Sequence, residues 1–306
     1  MRAIRIGTRG SSLAMCQAQI VQTRLEERHP GRRFTLVPIK AQADRNPEVP
    51  LIAMGGEGIF VKELEAALLG GEVDLAVHSL KDLPLAAPAG VRLTAVLSRE
   101  EPRDALVARD VGQLADLPPG ARVGTSSLRR RSQLLRQRRD VVPVDIRGNV
   151  DTRLRKLREG QFDAIIVAAC GLIRLGLNDH ISEYLDFSIM LPEPGQGALA
   201  VETRSDDGEL LEMVGGLEDP VSRACVEAER AFLGGLGGGC RVPISAYAQN
   251  RGGTLTLQGA VTAPDGREEV RGEASGPMTE PVDLGRRLAD DLAGRGARDL
   301  LTGLES

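Results

Sequence analysis

Apolar positions near the N-terminus first alternate and then switch to helical spacing. Residues 3–8 read as a strand and 11–28 as a helix capped by Ser11, with Leu13, Cys16, Ile20 and Leu25 along one face. A strand near 33–39 follows, then a polar loop, AQADRNPEVPLIAMGGEG. FVKELEAALL predicts a helix, VDLAVH a buried strand, and RLTAVLS and DALVA two more strands. From residue 122 the order returns in kind: strand RVGTS, helix 127–138, strand 141–146, helix 149–158 and strand DAIIVAA. Strands alternating with helices imply parallel sheets of the doubly wound α/β kind.

Two polar, proline-bearing joints, REEPRD at 99–104 and LPEPGQG at 191–197, flank the second α/β stretch. The economical reading inserts one α/β domain (103–191) into another (1–98 plus 196–216), with a two-stranded hinge and a cleft between them. After residue 219 the style changes. A helix, DPVSRACVEAERAFL, precedes strands near 242–250 and 254–262, a hairpin through APDG and a strand near 267–275, and a helix over about 281–294 closes a small α+β domain of residues 219–306.

Composition narrows the function. A net charge of −4 and 2% aromatic residues argue against general nucleic-acid binding. The apolar runs are too short to span a bilayer, and the chain enters a strand pattern at once, which places it in the cytoplasm. Four cysteines without C-x-x-C spacing and three scattered histidines predict neither a disulfide framework nor a metal site. Lys40, Lys62, Lys81 and Lys156 are the only lysines, and the other basic residues are arginine. Composition bias accounts for this, but arginine is also the side chain suited to bidentate carboxylate recognition.

Cys16, Cys170 and Cys225 fall on apolar faces and read as small core residues. Cys240 does not, because it ends the glycine-rich stretch GGLGGGCRVP. It is either a turn that happens to hold cysteine or a reactive thiol on a flexible arm, with Arg241 favouring the thiolate.

VGTSSLRR, residues 123–130, turns a strand into a helix N-terminus. Thr125, Ser126 and Ser127 offer capping hydroxyls, and Arg129 and Arg130 follow in the first turn. With Leu128, Leu134 and Leu135 taken as the buried stripe, those arginines are left free to meet an anion. Arg9 and Ser11, Arg147, Arg153 and Arg174 occupy similar strand exits, where open α/β sheets bind ligands. The set suggests a ligand with many negative groups, although each arginine alone is equally a solvated surface residue. HSLKDLP places Lys81 and Asp82 side by side after a buried strand, either as a surface ion pair or as an acid–base group at the same edge.

Taken together, TRGSSLA, GGEGIFVKELE, AVHSLKDLP, VGTSSLRR, IRGNVDTRL, GLIRLGL, PGQGALAVE, AERAFL and GGGCRVP resemble, in order, the motifs of the porphobilinogen deaminase (hydroxymethylbilane synthase) family. The resemblance implies two domains like type II periplasmic binding proteins, α/β with a cleft, plus a small α+β C-terminal domain. It implies head-to-tail condensation of four porphobilinogens with loss of ammonia, then hydrolytic release of linear hydroxymethylbilane. By the same resemblance Cys240 would hold a dipyrromethane cofactor through a thioether. Lys81, Asp82, Ser127, Arg129, Arg130 and Arg147 would contact that cofactor. Arg9, Ser11, Arg147, Arg153, Arg174 and Gln196 would bind substrate carboxylates. Asp82, with Lys81 in the same cleft, would stabilise the cation left by ammonia loss and assist proton transfer. Porphobilinogen and the growing chain are the implied partners, and a monomer is the default.

The pattern departs in three places: Glu57 stands where lysine is usual, Ala41, Gln42 and Ala43 replace Thr-x-Gly, and Gly237 replaces a frequent glutamate. The first two lie in a loop expected to lid the cleft, so Glu57 should weaken anion binding there. Two other readings use the same residues: a non-enzymatic polycarboxylate-binding protein, which leaves Cys240 and Asp82 idle, and a lyase with Lys81 as Schiff-base nucleophile.

Overall fold

The structure is a computed structural model that describes residues 3–40, 61–238 and 242–302. Glu57, Ala41, Gln42, Ala43 and Cys240 lie outside the described residues. The chain forms two compact units, Met1–Arg99 with Ala198–Arg223, and Glu100–Gly197 with Ala224–Ser306.

In chain order the elements begin with β1 (Ile4–Arg9), α1 (Ser12–Arg28), β2 (Phe34–Ile39), α2 (Lys62–Leu69), β3 (Leu75–Ser79) and β4 (Val91–Val96). Then come β5 (Asp104–Ala108), β6 (Arg122–Gly124), α3 (Leu128–Gln137), β7 (Val142–Val144), α4 (Val150–Arg158), β8 (Ala164–Ala168), α5 (Ala169–Arg174) and β9 (Glu183–Tyr184). The rest are β10 (Leu199–Arg204), α6 (Gly208–Gly215), α7 (Pro220–Gly235), β11 (Ile244–Arg251), β12 (Thr254–Thr262), β13 (Glu269–Pro277) and α8 (Pro281–Gly294).

The first unit is built on a sheet of order β2-β1-β3-β10-β4. β1 runs parallel to β2 and β3, whereas β10 runs antiparallel to β3 and β4. The second unit repeats the scheme with order β7-β6-β8-β5-β9, in which β5 is the antiparallel member. The sheets are therefore mixed, not purely parallel as the β/α alternation predicted. A strand buried on both faces carries the same apolar run whichever way it points, so periodicity does not encode direction. The third sheet, β11-β12-β13, is an antiparallel meander.

Both faces of the first sheet are covered. Ile6, Val21, Leu25, Leu75, Val77 and Leu199 pack with Leu210 and Val214 of α6 on one side. Leu68, Val73 and Val91 form a smaller cluster with α2. Gly7 is what lets α2 approach, since a Cβ there would stand 3.0 Å from Val73 and 3.2 Å from Leu64. The meander closes on α7 and α8, with Phe232, Leu257, Leu284 and Leu288 at its centre. Glu229 of α7, fully buried, accepts hydrogen bonds from the backbone N–H groups of Gly195 and Ala248, each at 2.7 Å. It thereby ties the 191–197 loop to the meander, and the Phe187 and Tyr247 rings stack at 4.2 Å in the same unit.

Cys170 and Cys225 are buried as expected, and Cys16 is half-buried. Among the described residues no helix is long and apolar enough to cross a membrane.

Candidate active site

In the first unit, β1 and β3 end at the same edge of the sheet. β1 delivers Arg9, and the Ser11 hydroxyl caps α1 by accepting from the Ala14 N–H at 3.3 Å. β3 runs into a single 3-10 turn, Leu80–Asp82, with Leu80 buried as its anchor. That anchor holds Lys81 and Asp82, both half-buried, at the mouth of the strand. Arg9, Ser11, Gln17, Val61, His78 and Asp82 line a pocket of about 70 Å³, and Gln17 donates to the Ser79 hydroxyl at 2.9 Å. Three residues singled out from the sequence thus meet in one concavity, with Lys81 in the adjoining turn.

The second unit corrects the reading of α3. Its buried side is Arg129, Arg130, Ser132, Gln133 and Leu134, so the arginines face inward and Leu128 and Leu135 are only half-buried. Arg129 Nη1 donates to Asp104 Oδ2 at 2.8 Å and to the Leu191 carbonyl at 2.7 Å. Arg130 donates to Asp104 Oδ1 from Nε at 3.0 Å and from Nη2 at 2.8 Å. Gln196 completes the set by donating to Asp104 Oδ1 at 3.0 Å and to the Pro102 carbonyl at 2.8 Å. Burial alone would push the Asp104 carboxyl up, but the charges of Arg129 and Arg130 and the hydrogen bonds of Arg129 and Gln196 hold it well below the usual carboxylate range. One carboxylate does not saturate two guanidinium groups. Arg129 Nε and Nη2 are buried without a hydrogen-bond partner among the described residues.

Ser127 caps α3, accepting from the Arg130 N–H at 3.4 Å. Asn149 caps α4, and Arg153, one turn in, donates from Nε to the Gly148 carbonyl at 2.8 Å. Gly148 has a φ of +109°, and a Cβ there would stand 2.5 Å from Thr152, so IRGN needs glycine between Arg147 and the cap. Burial and the like charges of Arg130 and Arg147 push the Arg153 guanidinium down to about 10. The three guanidinium groups thus act on one another as like charges. The Arg174 side chain is buried against Glu100 at 2.8 Å and the Gly197 carbonyl at 2.8 Å.

Asp104, His78, Glu202 and Gln17 were missed in the sequence. The available signal was a charged or polar residue set in an otherwise apolar strand, as in DALVA, LAVHS and LAVET. Among the described residues no group of three His, Cys, Asp or Glu side chains is placed to hold a metal ion.

The chain matches two family models: "Porphobilinogen deaminase, dipyromethane cofactor binding domain" over residues 4–212 and "Porphobilinogen deaminase, C-terminal domain" over residues 223–294. It is similar to the porphobilinogen deaminase of Pelobacter propionicus, 51% identical over 98% of this chain and 96% of that protein. It is also similar to that of Geobacter metallireducens, 49% identical over 98% and 94%. Among solved structures, a periplasmic substrate-binding protein of an ABC transporter from Coxiella burnetii is similar at a TM-score of 0.45 and 15% identity, covering 74% of this chain and 96% of that one. With half its residues identical to these relatives over nearly its whole length, this chain belongs to the porphobilinogen deaminase family.

Proposed function

We propose that the chain condenses porphobilinogen units head to tail with loss of ammonia and releases a linear tetrapyrrole, hydroxymethylbilane, as a cytoplasmic, monomeric enzyme of tetrapyrrole biosynthesis. The observation that carries this is the full-length similarity to porphobilinogen deaminases. The local chemistry supports it. Each porphobilinogen bears an acetate and a propionate, so a chain of them is a polycarboxylate that needs several cations. The crowding of Arg130, Arg147 and Arg153, and the buried N–H groups that Arg129 leaves unused, fit such a ligand and would be relieved by it.

A dipyrromethane attached at Cys240 would supply a covalently held starter whose free α-carbon is the nucleophile. Ser127, Arg129, Arg130 and Arg147 would hold its acids, with Lys81 adding a cation in the first unit. Arg129 and Arg130 do so from a fixed position, because Asp104 and Gln196 set their planes. Arg9 and Ser11 bind a substrate carboxylate at the edge where β1 ends, and Arg153, Arg174 and Gln196 serve the same purpose in the second unit. Asp82 stabilises the positive charge that grows on porphobilinogen as ammonia leaves, by accepting from the pyrrole N–H, and takes part in proton transfer. A carboxylate suits both tasks because it is anionic at neutral pH, where a histidine can itself be cationic.

Intact mass of the purified protein, before and after reaction with an aldehyde reagent for pyrroles, tests the reading. The expected result is an excess mass of two pyrrole units, lost in Cys240→Ser, together with consumption of porphobilinogen. A protein that weighs no more than its residues, and stays so when given porphobilinogen, overturns it; tight binding of polycarboxylates by such a protein would favour a binding module.

A further inference from the structure

Behind the Asp82 pocket lies a buried group of ionisable side chains that the reading above does not use. His78 Nε2 is 3.1 Å from Glu202 Oε2, with side-chain exposures of 3% and 2%. The β-ladder explains the proximity: His78 pairs with Ala200, and Glu202, two residues along β10, lies on the same face. α2 packs against that face and turns Glu65 into it as one of its buried residues. His78 Nε2, Glu202 Oε2 and Glu65 Oε1 have no aligned hydrogen bond among the described residues.

Such an arrangement is costly. Well-packed apolar side chains in its place would be as stable or more so, and perturbed buried groups concentrate where a site uses them. Burial raises the Glu65 carboxyl above the usual carboxylate range and Glu202 raises it further, while His78 and Lys62 oppose. Two carboxylates on one histidine, one of them biased toward its protonated form, make a place where a proton can rest. His78 also lines the pocket that contains Asp82.

We propose that His78, backed by Glu202 and Glu65, is the proton relay of the Asp82 pocket. The inference rests on the condensation reading, because that reaction sets a proton free at every step. The C–N bond of porphobilinogen breaks and its ammonium departs as ammonia with the bonding electrons. A C–C bond forms, and the carbon attacked through loses its proton to a base while the C–H electron pair returns to the ring. Ammonia and proton together make ammonium, and nothing is oxidised or reduced. Asp82 takes the proton first, and a second acceptor must clear it before the next unit arrives. His78 and the carboxylate pair hold it until it leaves through the pocket with ammonia as ammonium. The charged groups around the relay are Glu202 from β10, Glu65 and Lys62 from α2, and Arg9, Lys81 and Asp82 at the pocket edge.

The test uses cofactor-loaded protein, with the load checked by intact mass, and porphobilinogen as substrate. His78→Gln and Glu202→Gln are expected to lower kcat by about tenfold or more with KM within about threefold, and to change the shape of the pH profile of kcat. A second readout needs no turnover. The chain has three histidines, so 15N-histidine labelling resolves His78 by its loss in His78→Gln, and its imidazole signals should move in Glu202→Gln. Rates within threefold of the parent in both variants, or an unmoved imidazole, overturn the relay. If His78→Gln does not fold, His29→Gln and His180→Gln assign the remaining imidazole to His78, and Glu202→Gln then decides through both readouts. A parent protein that carries the pyrrole mass and consumes porphobilinogen while the variants keep their rate leaves the function standing and removes the relay. A parent without either removes both.

Discussion

Arg129 Nη1 and Asp104 Oδ2 stand 2.8 Å apart with both side chains buried, and Arg130 grips the other oxygen of the same carboxylate. Removing the shared anion would leave two buried guanidinium groups without their counter-charge. Asp104→Asn is therefore expected to lower the unfolding free energy by about 3–5 kcal/mol, as when one partner of a buried pair is lost. Urea titration measures it. The pH dependence has a definite sign: the folded-state pKa of Asp104 is depressed, so its contribution is present above the unfolded value of about 3.9 and is lost as pH falls toward the folded value. In the parent, stability should fall with pH below about 4. In Asp104→Asn that share of the acid dependence should be missing.

Asp82→Asn keeps the size and the turn but removes the anion that the charge on porphobilinogen would face. Turnover is expected to fall about 100-fold or more, with the melting temperature within about 2 °C of the parent. Near-normal turnover in a folded variant would take Asp82 out of the mechanism.

Arg153 is held among like charges, so its removal should act in opposite directions on folding and on binding. Arg153→Gln is expected to raise the melting temperature of cofactor-free protein, since the repulsion with Arg130 and Arg147 goes. It should also raise KM for porphobilinogen about tenfold, the worth of one charge-assisted hydrogen bond. Calorimetry and steady-state kinetics read the two effects separately, and a fall in both quantities would refute the crowding argument.

Gly285 sits in α8 where α8 meets α7, and a Cβ there would overlap the Ala228 carbonyl and stand 2.7 Å from the Ala231 Cβ. Helix propensity favours alanine by about 1 kcal/mol. The overlap is with backbone, which cannot turn aside as a side chain can, and overpacking costs about 1–3 kcal/mol. Gly285→Ala should be net destabilising in urea. A more stable variant would show that α7 and α8 can separate cheaply.

The register of what was readable follows the range of the interactions. RVGTS and helix 127–138 were visible because alternation, a capping serine and a 3.6-residue period are written within about ten neighbouring positions. The motif order that marks the family was visible for the same reason. Helix α6 and the short strand β9 were not, because neither has a strong pattern of its own and each forms by packing on a sheet already present. Strand β10 also escapes the sequence pattern, and β5 is read there with the wrong direction because its apolar run looks alike from either end.

From the amino-acid order alone came the alternating elements, the capped strand exits with their arginines, the Lys81–Asp82 pair, and a thiol after a glycine run. Tertiary structure alone decided that Arg129 and Arg130 turn inward onto Asp104, that Gln196 reaches the same carboxylate from 92 residues away, and that His78 meets Glu202 under α2. The division has a physical cause. Helical period and capping are energies between near neighbours, whereas the partner of a buried charge is set by which distant strands share a ladder, and that depends on the packing of the whole unit.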